Sequence, residues 1–158
     1  MKIREAGEAD AEAVTALWTE AYSGAGPEGR KEPYALREYF AVAVNAAVSV
    51  AEEEGGEVVA VVALLPPGAA GRAVAGPGEA ELARLAVAGT AQRRGLGRRL
   101  VEHCRTQAKA LGAEAIALYS RRHQTDAHRL YESLGYRRVP ERDEDDDLGR
   151  RLVFRLDL

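Results

Sequence analysis

A run of seven residues in the second half of the chain combines glycine with positive charge in a way that suits anion binding. The run consists of Gln92, Arg93, Arg94, Gly95, Leu96, Gly97 and Arg98. It follows a predicted strand and opens a predicted helix, so a strand leads into a helix N-terminus. Glycines there let backbone amides approach an anion, the helix dipole favours negative charge, and arginines add long-reaching charge. The run therefore predicts a phosphate-binding turn.

Two common nucleotide-binding motifs do not account for this turn. A Rossmann fingerprint would require a third glycine near Leu100, and a P-loop would end in Gly-Lys-Ser or Gly-Lys-Thr. The remaining interpretation is a diphosphate whose identity depends on the rest of the chain.

Charge is segregated along the sequence, which supports a local site for an anion. Residues 1–91 hold 7 basic and 14 acidic side chains, residues 92–138 hold 11 and 4, and residues 139–158 hold 4 and 7. A nucleic-acid-binding protein usually presents a broad basic face, so we expect no nucleic-acid partner. A basic middle in an acidic chain fits the phosphates of a nucleotide, although a solvated helix face would explain part of the same pattern.

A second segment gives this turn a family context. Gln92 to Gly97 resembles the Gln/Arg-x-x-Gly-x-Gly/Ala motif of the GNAT acyltransferase superfamily. The sequence Leu-Tyr-Glu-Ser-Leu-Gly-Tyr at residues 130–136 resembles the second hallmark of that superfamily, and the spacing between the motifs also matches. The resemblance covers the whole chain in element order, with its specific motifs between residues 79 and 136.

The resemblance implies that acetyl-CoA is the acyl donor and that its pyrophosphate binds at the glycine turn. The strand that carries Leu85, Ala86 and Val87 would diverge from the next one, so that pantetheine pairs with the Val87 backbone. The Leu85 N–H would polarise the thioester carbonyl, where a placed donor is worth roughly 3 kcal/mol. Gln124 stands where the family often has asparagine, and its contact with the coenzyme stays open.

Two side chains are candidates for the proton transfers. Tyr131 matches the general-acid tyrosine of the family, and Glu81 lies where some members carry a catalytic glutamate. Strand alternation would place Glu81 on the same side as Leu85 and Val87. A lysine-like amine has a pKa of ~10.4 and a thiol one of ~8.5, so the amine needs the greater help near neutral pH. The structural alternatives are a core aromatic for Tyr131 and an edge charge for Glu81.

Neither a cysteine nucleophile nor a metal site is expected. The single cysteine, Cys104, lies on the apolar face of a predicted helix, which indicates a buried structural thiol. His103 and His128 are typical of helix surfaces, whereas His123 precedes the second motif helix and could reach the cleft. The three histidines have no spacing typical of metal ligands, so we expect no metal.

The elements that must position these residues follow from hydrophobic periodicity. At 158 residues the chain fits one GNAT-like acyltransferase domain, residues 1–158. We expect an α/β fold with a mixed, centrally splayed β-sheet of about six to seven strands, flanked by about four helices. After a loop from Ser23 to Glu32, a second helix is predicted to be buried against the sheet through one face, which consists of Leu36, Phe40, Ala43, Val44 and Ala47. The acidic run at residues 143–147 is predicted to form a hairpin loop, because like charges oppose compact pairing.

The sequence therefore predicts an N-acetyltransferase that moves an acetyl group from acetyl-CoA directly to a primary amine. We favour a small-molecule amine, because acidic residues such as the run at 143–147 would attract a cation. Acetylation of a protein N-terminus or lysine and a non-catalytic CoA-binding regulatory module are the alternatives. No apolar stretch reaches ~20 residues and no signal-peptide pattern is present, so we expect a soluble, cytoplasmic protein without a membrane partner. A homodimer formed through the strand-rich C-terminus is reasonable.

Overall fold

One mixed β-sheet organises the computed structural model of the chain, which describes residues 1–24 and 29–158. Those residues form eight strands, which are β1 (Lys2–Glu5), β2 (Ala47–Glu52), β3 (Val58–Leu65), β4 (Glu79–Val87), β5 (Ala115–Ser120), β6 (Arg137–Arg138), β7 (Glu144–Asp146) and β8 (Gly149–Asp157). The strand order is β1-β2-β3-β4-β5-β8-β6, and β7 pairs with β8 outside this path. The fold class is confirmed, and the sheet has one strand more than the upper expectation.

The described part of the chain also contains four helices, as expected, and they cover both faces of the sheet. They are α1 (Ala11–Tyr22), α2 (Leu36–Asn45), α3 (Leu96–Ala110) and α4 (Thr125–Ser133). One core lies between the sheet and α3, and the other lies between the sheet and α1 with α2. Among the described residues, no helix combines the length and the apolar character needed to cross a bilayer. The predicted loop at Ser23 to Glu32 includes residues 25–28, which lie outside the described residues.

The sheet opens between β4 and β5, the two parallel neighbours at its centre. They pair at Glu79 with Ala115, Ala80 with Ile116 and Glu81 with Ala117, and the pairing ends there. The remaining residues of β4 pair on their other side with β3 alone. The two strands therefore diverge from residue 82 onward, which is the splay that the resemblance implied.

A β-bulge interrupts β4 within this divergent part. Ala83 pairs with Ala63 and Ala86 pairs with Val61, so two residues of β4 oppose the single residue Val62. The first of the two, Arg84, has a φ of 54°, in the left-handed region. A bulge adds one residue to a strand and shifts its inward and outward alternation.

The acidic run is a strand rather than the predicted loop. Glu144–Asp146 form β7, and Asp146 pairs with Gly149 across a tight turn. The prediction assumed that repulsion among the carboxylates would prevent pairing. The structure corrects it because arginines neutralise the run, with Arg151 paired to Glu144 at 2.7 Å and Arg150 paired to Asp145 at 3.4 Å.

Helix α2 presents a different face to the sheet from the one predicted. Leu36, Phe40 and Val44 are 44%, 42% and 81% exposed, so the prediction that they are buried is wrong. Tyr39 is buried instead, and its hydroxyl donates a hydrogen bond of 3.1 Å to the Gly7 carbonyl. This bond and the packing of Tyr39 against α1 fix the rotation of α2.

Candidate active site

A cleft of about 1220 Å³ opens where β4 and β5 diverge. Its walls come from β4, β5, α1, the N-terminus of α3 and α4. The cleft brings together all but one of the residues that the sequence analysis selected, which are Glu81, Leu85, Ala86, Val87, Gln92, Arg93, Gly95, Leu96, Gly97, Arg98, Gln124 and Tyr131. The exception is Arg94.

The glycine turn has the backbone geometry of an anion-binding segment. After a short 3-10 turn at Gly89–Ala91, both Arg93 and Gly95 adopt positive φ angles, of 66° and 75°. Helix α3 then begins at Leu96. A side chain added at Gly95 would meet nothing within 4 Å, so the space beside this turn is open. An open approach to the first turn of a long helix is the arrangement that binds phosphate.

Three residues of the turn also stabilise the protein itself. The Leu96 side chain is buried in the core beneath α3. Gln92 donates from Nε2 to the Val87 carbonyl at 3.2 Å, and Arg98 donates to Ser133 Oγ at 2.8 Å. The second bond connects α3 to the end of α4. These contacts hold the turn in place beside the cleft.

Tyr131 reaches the cleft from α4 while its ring belongs to the core. It is 5% exposed, and its ring centroid lies 5.7 Å from that of Tyr136 and 6.0 Å from that of Phe154. Burial raises the pKa of Tyr131 well above its usual value, with a smaller contribution from Cys104. The hydroxyl is therefore protonated throughout the neutral pH range, as a proton donor must be.

Glu81 lies on the opposite face of β4 from Leu85 and Val87. Ala80 and Leu82 on either side of Glu81 belong to the core beneath α3, and Leu85 and Val87 pack against that same core. The prediction that Glu81 shares a side with them is wrong, because the bulge at Arg84 inverts the alternation between them. Glu81 therefore faces the side on which α1 packs.

The Glu81 carboxylate, 2% exposed, anchors a loop that lines the cleft. Oε1 accepts hydrogen bonds from the amides of Ala73, Val74 and Ala75 at 3.0, 2.7 and 2.9 Å. Among the described residues, Oε2 accepts from the Ala73 amide alone, at 2.9 Å. Since a carboxylate oxygen has two lone pairs, Oε2 keeps the capacity to bind one more donor.

The bulge of β4 is held by side chains of α1 that the sequence analysis did not select. Trp18 donates from Nε1 to the Arg84 carbonyl at 3.2 Å, and the Tyr22 hydroxyl donates to the Leu85 carbonyl. Burial raises the pKa of Tyr22, and the nearby Tyr131 adds to the shift. One sequence signal pointed to this region, since Arg84 is the only charge in the apolar stretch from Leu82 to Val87.

The acidic run contributes no unpaired charge to the cleft through Asp146. Asp146 lines the cleft, but it accepts two hydrogen bonds of 2.8 Å from the Arg121 guanidinium and lies 3.0 Å from Arg151. The hydrogen bond from Arg121 holds the pKa of Asp146 at about 2. Asp146 therefore offers the cleft no free carboxylate for a cationic acceptor.

Gln124 closes the turn between β5 and α4. Its Oε1 accepts hydrogen bonds from Ser120 Oγ at 2.8 Å and from the Arg121 amide at 2.7 Å. His123 in the same turn is exposed and lines the cleft, whereas His128 contacts the Arg121 carbonyl at 2.9 Å. Cys104 is buried, as predicted, and burial raises the pKa of its thiol to about 12.

Comparisons with known proteins agree with this architecture. The model of the Acetyltransferase (GNAT) family matches residues 11–136. No curated protein matches the chain significantly. A ribosomal-protein-alanine N-acetyltransferase from Brucella melitensis is 22% identical, with a TM-score of 0.80 over 100% of both chains.

Two further solved structures share the fold. A GCN5-related N-acetyltransferase from Kribbella flavida is 22% identical, with a TM-score of 0.75 over 99% of this chain and 97% of the other. A phosphinothricin acetyltransferase from Sinorhizobium meliloti, in complex with acetyl-CoA, is 16% identical, with a TM-score of 0.79 over 99% and 88%. Because the family model spans most of the chain, the protein belongs to the GNAT family of acetyltransferases.

Proposed function

We propose that the protein transfers an acetyl group from acetyl-CoA to the primary amine of a small molecule. The observation that carries this proposal is one cleft that joins an open glycine turn, a splayed strand and a protonated tyrosine. Acyl transfer has three requirements, and each part meets one of them. The glycine turn would bind the donor, the splayed strand would polarise its carbonyl, and the tyrosine would protonate the leaving thiolate.

The residues present fit a coenzyme that carries a pyrophosphate. Arg93 is exposed on the cleft and takes part in no ion pair within the described residues, and Gly95 leaves open space beside the first turn of α3. The divergence of β4 from β5 leaves one edge of β4 without a partner strand, and an extended pantetheine arm would pair there. The Sinorhizobium meliloti structure of the same fold is a complex with acetyl-CoA.

Residues of this chain then supply the chemistry. The Leu85 N–H, at the bulge, would donate to the carbonyl oxygen on which charge develops. Trp18 and Tyr22 hold the adjoining carbonyls, so the backbone at this point is fixed in advance. Tyr131 would give its proton to the leaving sulfur.

Glu81 is the proposed base, acting through a water molecule. Its Oε2 retains a lone pair, and the residue lines the cleft on the side where α1 packs. A bound water would carry a proton from the substrate ammonium to this carboxylate, which leaves the neutral amine to attack the thioester. The three amide bonds would keep the carboxylate in position for this role.

The test is release of CoA from acetyl-CoA by the purified protein with and without a panel of primary amines. Acceleration by one or more small amines, with the acetylated product identified by mass, is the expected result. Peptide amines serve as the comparison, because faster transfer to them would favour a protein acceptor. Tight CoA binding without transfer to any amine would instead indicate a regulatory module.

A further inference from the structure

Arg84 is a charged residue at the point where β4 bends into the cleft. Its φ of 54° lies in the left-handed region, which side chains other than glycine rarely adopt. Backbone strain of this kind is retained where the surroundings require it, and it is frequent at ligand sites. Glycine would fit this backbone conformation without strain, so the presence of arginine here indicates that its side chain has a role.

Aromatic contacts hold the Arg84 guanidinium in one direction. Its Cζ lies 5.3 Å from the centroid of the Trp18 ring and 5.3 Å from that of Tyr34. Nη1 donates a hydrogen bond of 3.1 Å to the Tyr34 hydroxyl. An arginine has five N–H donors, so this bond uses a small part of its capacity. The cation is thus oriented, half-buried and available for further hydrogen bonds.

The other arginines on this side of the cleft have carboxylate partners. Arg30 pairs with Glu38 at 2.6 Å, Arg121 pairs with Asp146 at 2.8 Å, and Arg151 pairs with Glu144 at 2.7 Å. Within residues 1–24 and 29–158, no ion pair includes Arg84. Glu38, which is paired with Arg30, is the described carboxylate that interacts electrostatically with Arg84. An oriented guanidinium that forms no ion pair with the described carboxylates can bind an anionic group of a ligand.

The place of Arg84 relative to Leu85 indicates which ligand supplies that anion. Leu85 packs against the core beneath α3, next to the glycine turn, whereas the Arg84 side chain stacks on Trp18 of α1. The two consecutive residues therefore serve opposite sides of the cleft, with Leu85 towards the acyl donor and Arg84 towards the acceptor.

We propose that the acceptor is an amino carboxylate, such as an α-amino acid, whose carboxylate binds the Arg84 guanidinium while its amine faces the acyl group. This inference rests on the proposed acetyl transfer, for which it names the class of acceptor. Planar guanidinium and carboxylate groups pair through two parallel hydrogen bonds, which would also orient the amine. In the reaction, the ammonium first loses one proton through the base. The free amine nitrogen then forms the new amide bond as the C–S bond breaks, and Tyr131 gives its proton to the sulfur so that CoA departs as the thiol. The nitrogen loses a second proton, which balances the one given by Tyr131. The carboxylate takes no part in these bond changes.

The experiment compares L-amino acids with the matching L-amino acid amides as acceptors, in pools and then singly. Wild-type protein is expected to show a kcat/KM for the carboxylates at least 10-fold above that for the carboxamides. Arg84→Met should reduce this preference to less than 3-fold, mainly by raising KM for the carboxylates. Arg122→Met is the matched control, because Arg122 is exposed outside the cleft, and it should keep the preference.

Further measurements separate failure of this inference from failure of the proposed function. Transfer to carboxamides as fast as to carboxylates, or an equal loss for both in Arg84→Met, would overturn the inference and leave acetyl transfer intact. If no amine is acetylated, the melting temperature of the protein in the presence of CoA tests the carboxylate site at Arg84 separately from acetyl transfer. A rise of ~2 °C or more with amino acids but not with their amides, lost in Arg84→Met, supports the carboxylate site. The absence of that rise overturns it.

Two conservative variants cover the case in which Arg84→Met does not fold. Arg84→Lys keeps the charge but cannot form the two parallel bonds, and Tyr34→Phe removes the hydrogen bond that orients the guanidinium. Each should lower the carboxylate preference by about 3- to 10-fold. An unchanged preference in both would exclude Arg84 as the carboxylate ligand.

Discussion

Arg94 donates from Nη2 to Oε1 of Glu53, which lies in the turn between β2 and β3. This ion pair turns the Arg94 side chain away from the cleft, whereas its neighbour Arg93 lines the cleft. Two adjacent arginines of one motif therefore have different tasks. Arg94 joins the glycine turn to the sheet, and Arg93 lines the cleft in which we propose that the phosphates of the coenzyme bind.

The first prediction compares substitutions of these two arginines, with Arg94 as the control for Arg93. Arg93→Ala should weaken CoA binding by roughly 5- to 10-fold at low salt, because a charge contact with a phosphate is lost. The effect should shrink at high salt, since the Debye length is ~10 Å at 0.1 M and shorter above it. Arg94→Ala should change the affinity by less than about 2-fold, since it breaks an exposed ion pair. Calorimetric titration of each variant with CoA at two salt concentrations measures these affinities. Equal losses of affinity in the two variants would contradict the assignment of Arg93, rather than Arg94, to the phosphates.

The second prediction concerns the Tyr131 hydroxyl. Tyr131→Phe keeps the ring contacts with Tyr136 and Phe154, so stability and CoA affinity should hold. We expect kcat to fall by about 10² to 10⁴ through loss of a positioned acid, and near the lower end because thiolate is a fair leaving group. Steady-state kinetics with an amine that the protein acetylates measure kcat for wild type and Tyr131→Phe. A near-normal kcat from pH 6 to 9 would leave Tyr131 as a core aromatic.

The third prediction separates the two possible roles of Glu81. Glu81→Gln places an amide group beside the Ala73, Val74 and Ala75 amides, so stability should fall by about 1 to 3 kcal/mol. If Glu81 is also the base, kcat should fall about 100-fold or more.

Glu79→Gln is the matched control for this experiment. Glu79 is buried on the same strand, but it bonds to Arg142 and Arg155 and does not line the cleft. The Glu79→Gln substitution should lower stability and leave kcat within about 3-fold of wild type. A Glu81→Gln variant that matches this control in kcat would make Glu81 a loop anchor alone.

The fourth prediction concerns stability in acid. Burial alone would raise the pKa of Glu79, but hydrogen bonds from Arg142, Arg155 and the Gly76 amide outweigh it and hold the pKa at about 2. Because this folded-state pKa lies below the unfolded value of about 4.3, the stabilisation is present above pH ~4.3 and is lost as the pH falls towards 2. The group should contribute roughly 3 kcal/mol above that window.

Urea unfolding of wild type and Glu79→Gln at pH 7, 4 and 2.5 measures this contribution. The difference in the free energy of unfolding should be largest at pH 7 and should decrease towards pH 2.5, because only the wild type loses this interaction on acidification. Asp146 also titrates at low pH, but it is present in both proteins and cancels in the comparison. A difference that does not change with pH would contradict the prediction.

Local sequence patterns determined the parts of this protein whose structure depends on neighbours along the chain. The glycine turn marked the start of α3, and the apolar face of that helix placed Cys104 in the core. The resemblance of two motifs, at residues 92–97 and 130–136, to those of the GNAT superfamily also indicated the family, which the family model confirms. These features follow from helix and strand periodicity and from turn chemistry, which are local properties.

Tertiary structure alone decided which side chains face the cleft. Helix α2 has apolar residues on two faces, and contacts with α1 selected Tyr39 over Phe40. The bulge at Arg84 inverted the alternation of β4, so that Glu81 and Leu85 lie on opposite sides. Ion pairs between residues far apart in sequence neutralised Asp146, whereas Arg84 lines the cleft and forms no ion pair with the described residues. Pairing of charges and the register of strands are set by three-dimensional contacts, and one extra residue in a strand reverses every side chain after it.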